Sequence, residues 1–123
     1  MKNAGKQSLQ ELTRAVLAFR DARDWAQFHD LKSLMVSLNL EAAEALELSQ
    51  WKSDAEMEAF AQTPAGYEAL SDECADVLAY LLLLADHAGI DLSAALYAKL
   101  AKNERKYPVQ KSYGRKEKYN ALT

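Results

Sequence analysis

An all-α fold is what this sequence predicts, and two observations carry that expectation. Only four glycines and two prolines interrupt 123 residues. Between them, apolar residues recur at about 3.6-residue spacing. The expected architecture is four to five helices in a bundle that makes a single domain over residues 1–123, with a basic, partly irregular tail from about residue 109. A chain of this length can bury a core without disulfides or a structural metal.

The elements follow from capping and periodicity. Ser8 with Glu11 forms a capping box, and Leu9, Leu12, Val16 and Phe19 mark one face of a first helix expected to end near Asp24. Trp25 and Phe28 fall in the connection. A second helix, about Leu31 to Trp51, is apolar on more than one side and must be covered on several faces. Residues 52–66 are polar, and a short helical piece around 54–61 is expected before a loop at Thr63-Pro64-Ala65-Gly66. A long helix from about Tyr67 to Ala88 stops at Gly89, which suits a left-handed terminal position. Asp91 caps a last helix, Leu92 to about Arg105, which ends before Tyr107-Pro108 because the residue before proline resists helical geometry. The stretch from Val77 to Leu84 is apolar almost all round, so a homo-oligomer in which such helices pack on their copies is favoured over cover by the N-terminal helix and tail.

Charge narrows the function classes. The net charge is −3, which argues against a nucleic-acid polymer as the main partner. The sum conceals two opposed segments: residues 41–76 carry ten acids and one base, and residues 99–123 carry eight bases and two acids. The longest apolar run, Val77 to Ala85, is far shorter than the ~20 residues that span a bilayer, so no membrane partner is expected. The first twenty residues hold no signal-peptide block, and a lone Cys74 fits a reducing compartment, so the expected home is the cytoplasm.

Acid pairs three apart share a helical face. Asp21/Asp24, Glu41/Glu44, Glu44/Glu47 and Glu73/Asp76 all qualify, so spacing alone does not choose among them. Glu41 and Glu44 sit inside an apolar helix, and Glu73 and Asp76 open into another; no Lys or Arg lies between residues 53 and 98 to neutralise them. Burying such acids is costly unless they are paired or hold a metal. Oxygen ligands without a His or Cys set favour Mg²⁺, with Mn²⁺ as a substitute, over zinc or di-iron. A solvated acidic face is an equally open reading at this point.

The same stripes run on toward aromatics: Glu41, Glu44, Leu48 and Trp51 on one helix, Glu73, Asp76, Tyr80 and His87 on the other. Rings beside a metal cluster could stack on a flat base, although core packing is the commoner reason for each. Trp25 and Phe28, in a loop, lean toward binding. His29 either bonds a ligand or caps the second helix. Lys99, Asn103 and Lys106 share a face of the last helix, and beyond it Tyr107, Lys111, Arg115, Lys116, Lys118 and Tyr119 could fold over a polyphosphate. For Lys111 to Lys118 a solvated tail is the better reading.

Taken together, Glu41-x-x-Glu44, 28 intervening residues and Glu73-x-x-Asp76 resemble the metal signature of the all-α MazG-like nucleotide pyrophosphohydrolases, within them the dCTP pyrophosphatase branch. Arg23 to His29, Gln50 to Asp54, Glu73 to Tyr80, Gly89 to Leu92 and Lys99-x-x-x-Asn103-x-x-Lys106-Tyr107-Pro108 support it in order, over roughly residues 9–120. The resemblance implies cleavage of a nucleoside triphosphate to monophosphate and pyrophosphate, with Mg²⁺ held by Glu41, Glu44, Glu73 and Asp76. It also implies that Trp25, Trp51 and Tyr80 line a base and sugar pocket, that Lys99 and Asn103 contact phosphates, and that sites lie between subunits of a dimer or tetramer. His29, Lys106 and Tyr107 join the expected substrate-binding set. Relatives in this branch can carry a ligand-facing polar residue on the first helix, where this chain has Val16 and Phe19. Glu44 is the first choice for the group that takes a proton from the attacking water. The expected substrate is dCTP or a modified cytosine nucleotide, in house-cleaning of the nucleotide pool; dUTP, phosphoribosyl-ATP or a non-catalytic helical binding module are the alternatives.

Overall fold

The structure, a computed structural model, describes residues 7–122, and every regular element among them is helical. The helices are α1 (Leu9–Asp21), α2 (Leu31–Glu47), α3 (Asp54–Ala61), α4 (Pro64–Ala88), α5 (Leu92–Lys106) and the single turn α6 (Val109–Ser112), with 3₁₀ turns at Trp25–Phe28 and Tyr119–Ala121. They form two compact units, one up to Gly89 and one from Ile90.

Helix starts follow side-chain chemistry. Ser8 and Glu11 close the expected capping box. A second box, Ser53 with Glu56, opens α3. Asp30 accepts from the Ser33 N–H at 2.8 Å, so the cap of α2 is Asp30 and not His29. The expected loop at Thr63-Pro64-Ala65-Gly66 is instead the first turn of α4: Thr63 caps it by accepting from Gly66 N–H at 3.0 Å, and Pro64 occupies the position where a missing N–H costs nothing. Asp91 caps α5 as expected.

Two helix ends come a turn earlier than apolar periodicity suggests. At the end of α1, the Arg23 guanidinium donates to the Phe19 carbonyl at 2.9 Å and stacks 3.6 Å from its ring, closing the helix with a side chain. Asp24 then takes a left-handed backbone, φ 54°. At the end of α2, Ser49 Oγ donates to Leu46 O and Lys52 Nζ to Leu48 O, both within 2.8 Å, and the chain reverses through Trp51 at φ 64°. Gly89 ends α4 at φ 70°, as its sequence position predicts.

In the first unit α4 is central, with α1, α2 and α3 packed on it. Among the described residues the buried apolar ones are few: Leu34 from α2 and Leu82, Leu83 and Ala85 from α4. The large uncovered apolar surface therefore lies less on α4 than on α2, whose Met35, Val36, Leu40 and Leu46 are exposed, Leu46 by 72%. Among the described residues no single helix is long and apolar enough to cross a membrane.

Gly66 is where the α3–α4 turn is tightest. A Cβ there would stand 1.9 Å from the Phe60 carbonyl oxygen, which is rigid backbone. Gly66→Ala is expected to destabilise the fold by about 1–3 kcal/mol in urea unfolding, the usual range for forcing atoms into filled space.

Candidate active site

The acids predicted from spacing converge because α2 and α4 pack lengthwise. Glu41 and Glu44 project from α2, and Glu73 and Asp76 from α4. One carboxylate oxygen from each of Glu41, Glu73 and Asp76 lies within 4.8 Å of the others. Glu44 contributes charge and contact at the same place, since both Glu41 and Glu73 feel its carboxylate. Glu41 and Glu73 are half-buried, and each keeps one Oε2 shielded from water without a hydrogen-bond donor. Partial burial pushes the Glu41 carboxyl above its ordinary range, and contact with Glu44 and the charges of Asp76 and Glu73 add to this. Glu73 is raised the same way, by burial first and then by Glu44 and Asp76.

A set of oxygen-only ligands whose shielded oxygens lack donors among the described residues matches what a hard divalent cation requires. The donor set fits Mg²⁺ or Mn²⁺ and lacks the nitrogen or sulfur that zinc sites recruit. The residues present thus fit a divalent metal.

One helical turn from the acids on both helices lies a cavity of about 280 Å³. Its wall is Trp25, Phe28, His29, Ser33, Ser37 and Tyr80. Ser37 precedes Glu41 by four residues and Tyr80 follows Asp76 by four, so each helix presents its acid and its cavity residue on one face. Trp25 is held by an edge-to-face contact with Phe19 at 5.9 Å. His29 is half-buried with Nδ1 shielded and unpartnered. Its pKa is lowered, by burial first and then by Arg20 and His87, so the ring stays neutral at neutral pH, with one donor and one acceptor.

Of the residues predicted to bind substrate, Trp25, His29 and Tyr80 therefore share one cavity. Trp51 does not line it; it stands in the turn after α2, 91% exposed, on a left-handed backbone that bulky residues rarely adopt. Lys99, Asn103, Lys106 and Tyr107 belong to the second unit. There Asn103 is half-buried and its carbonyl accepts from Tyr107 N–H at 2.7 Å. Ser33 and Ser37 escaped the sequence reading. Their signal, two hydroxyls four residues apart on a face continuing to Glu41 and Glu44, was present but is also how a solvated helix looks.

The raised carboxyls fix a direction for stability. In the metal-free fold Glu41 and Glu73 hold their protons at pH values where the unfolded chain has released them. Their contribution to stability is therefore fully present below the ordinary carboxylate range and is lost as pH rises through the raised values, opposite in sign to that of Asp30, Glu56 and Glu117, whose carboxyls are held low. Glu41→Gln, which removes one charge and keeps the shape, is expected to raise the Tm of the metal-free protein at pH 7 and to weaken the part of its pH dependence that lies above the ordinary carboxylate range, followed by differential scanning calorimetry in chelator.

Comparison with known proteins places this geometry. The MazG-like family model matches residues 36–122. The dCTP pyrophosphatase 1 of Rattus norvegicus is 41% identical over 115 residues, 94% of this chain and 68% of the relative. That of Homo sapiens is 36% identical over the same shares. Among solved structures, a pyrophosphatase from Archaeoglobus fulgidus aligns with a TM-score of 0.75 and 39% identity, over 88% of this chain and 99% of that one. With the family model covering most of the chain and relatives this similar over nearly all of it, the chain belongs to the MazG-like family.

Proposed function

We propose that this chain is a divalent-metal-dependent nucleotide pyrophosphohydrolase that cleaves a deoxynucleoside triphosphate, dCTP or a modified cytosine nucleotide, to the monophosphate and pyrophosphate. The observation that carries the reading is the acid cluster one helical turn from an aromatic cavity. Relatives named dCTP pyrophosphatase, similar over 94% of the chain, support it.

In this reading Glu41, Glu44, Glu73 and Asp76 hold Mg²⁺. When bound, the cation offsets charge on the phosphate oxygens and eases deprotonation of the attacking water. Glu44 accepts that proton while the water oxygen attacks the α-phosphorus in line. The bond from that phosphorus to the bridging oxygen breaks, and its electron pair leaves with pyrophosphate. Trp25, Phe28 and Tyr80 offer faces for the base. The neutral His29 and the hydroxyls of Ser33 and Ser37 offer both donors and acceptors, which the edge of a cytosine needs. Lys99, Asn103, Lys106 and Tyr107 serve the phosphates.

The exposed apolar surface of α2 supports the homo-oligomer: five large apolar side chains, Leu31 among them, on one helix are more than a solvated face carries. Trp51, exposed on a strained backbone, serves in this reading as a wall of a base pocket formed between subunits.

Four outcomes are expected. With Mg²⁺, dCTP yields dCMP and pyrophosphate, resolved by chromatography and ³¹P NMR; orthophosphate with dCDP, or no product from any dNTP, overturns the reading. Glu44→Gln lowers kcat by about 10²–10⁴-fold with little change in KM, as for loss of a general base, and Trp25→Ala raises KM roughly tenfold, as for loss of one base–ring stack. Leu40→Glu with Leu46→Glu lowers the mass found by sedimentation equilibrium; an unchanged monomeric mass in the parent protein contradicts the oligomer.

A further inference from the structure

The turn between α2 and α3 sets a tryptophan where backbone geometry favours glycine. Trp51 has φ 64°, a left-handed conformation that a chain leaving a helix ordinarily gives to glycine or asparagine. For a bulky residue it is an outlier. Burial within its own chain does not offset the strain, since Trp51 is 91% exposed. Strain of this kind persists only where the neighbours over-determine it.

Those neighbours can be named. Gln50 N–H donates to Glu47 O at 3.0 Å and Lys52 N–H to Ser49 O at 3.1 Å, so the backbone is tied on both sides of Trp51. Ser53 N–H donates to the Glu56 carboxylate at 3.0 Å and anchors the start of α3. Lys52 adds a connection the backbone cannot make. Its Nζ donates to the Leu48 carbonyl at 2.8 Å, at the end of α2, and stands 4.6 Å from the ring centroid of Phe60 in α3. Phe60 is half-buried, and its carbonyl accepts from Thr63 Oγ1 at 2.8 Å where α3 gives way to α4. A lysine that merely complements the dipole of α2 accounts for the Leu48 contact and not for the ring. A cation shared between a carbonyl and an aromatic face fixes two helices at once, and the residue beside it is the strained, exposed tryptophan.

We propose that Lys52 is a positioning residue: by clamping the end of α2 to Phe60 of α3, it holds the Trp51 indole at a fixed place for a nucleotide base. This inference rests on the reading above in which Trp51 is a wall of the base pocket. Lys52 itself touches no substrate; it removes conformations that the indole would otherwise lose on binding.

The test is isothermal titration calorimetry of the full chain, in Mg²⁺, with dCTP carrying an imido bridge between its α- and β-phosphates. Lys52→Met keeps the stem and removes the ammonium, and Kd is expected to rise roughly tenfold, as for a misplaced base–ring stack. Lys52→Arg, which keeps a donor and a cation over the ring, is expected to bind like the parent. Trp51→Ala raises Kd similarly, and adding Lys52→Met to it changes Kd no further, because the lysine acts through the indole. Phe60→Leu leaves the α2 cap intact and moves Kd in the same direction; circular dichroism and Tm check that each variant is folded. An unchanged Kd in folded Lys52→Met or in Phe60→Leu, or a loss that adds in full to that of Trp51→Ala, overturns the proposal. Product release from dCTP is followed in parallel. A parent that binds the analogue and shows this Kd pattern but releases no dCMP ends the hydrolytic reading and leaves the clamp standing. A parent that hydrolyses dCTP while Lys52→Met leaves Kd unmoved ends the clamp alone.

Discussion

Repulsion among carboxylates across the α2–α4 contact is the constraint on which the rest of this structure depends. The two helices bury Leu34, Leu82, Leu83 and Ala85 in a narrow core. That packing brings Glu41, Glu73 and Asp76 within 4.8 Å of one another, with Glu44 close enough to raise its neighbours. Like charges this close oppose the helix contact that positions them. Among the described residues, the shielded Oε2 atoms of Glu41 and Glu73 have no donor that would ease the conflict. In the proposed reading a divalent cation resolves it, which would make the metal site and the stability of the helix pair one problem.

The aromatic cavity inherits its position from the same contact. Tyr80 lies one turn beyond Asp76, and Ser37 one turn before Glu41, so the register that assembles the acids also places a wall of the cavity beside them. Trp25 and Phe28 reach it because α1 ends early: Arg23 folds over Phe19, Asp24 turns left-handed, and the 3₁₀ turn swings both rings toward α2 and α4. A site for charge and a site for a flat ring thus stand side by side. That pairing, more than either part alone, supports nucleotide chemistry over a bare helical binding module.

Much of this was legible in the residues, and the failures have physical causes. Caps at Ser8 and Asp91 and the glycine at 89 mark boundaries because they act locally. Thr63-Pro64 reads as a loop by composition, yet proline is as much a helix opener as a breaker, and only the Thr63–Gly66 hydrogen bond decides. Periodicity overruns the end of α2 because Leu48 and Trp51 keep helical spacing while Ser49 and Lys52 turn the backbone. The acids were recognisable as pairs, but which pairs face each other is a property of the α2–α4 contact. Ser33 and Ser37 were hidden for the same reason. The tail's return, in which Tyr119 meets Tyr107, is a contact between rings twelve residues apart that no local pattern announces.

The most direct measurement is calorimetric titration of the chelator-stripped protein with Mg²⁺ near pH 6, repeated in buffers of different ionisation enthalpy to count protons. The expected result is saturable binding with net proton release, which diminishes as pH rises and the carboxyls of Glu41 and Glu73 ionise unaided. Absence of saturable binding, or binding with no proton released at any pH, would contradict a metal held by mutually repelling acids.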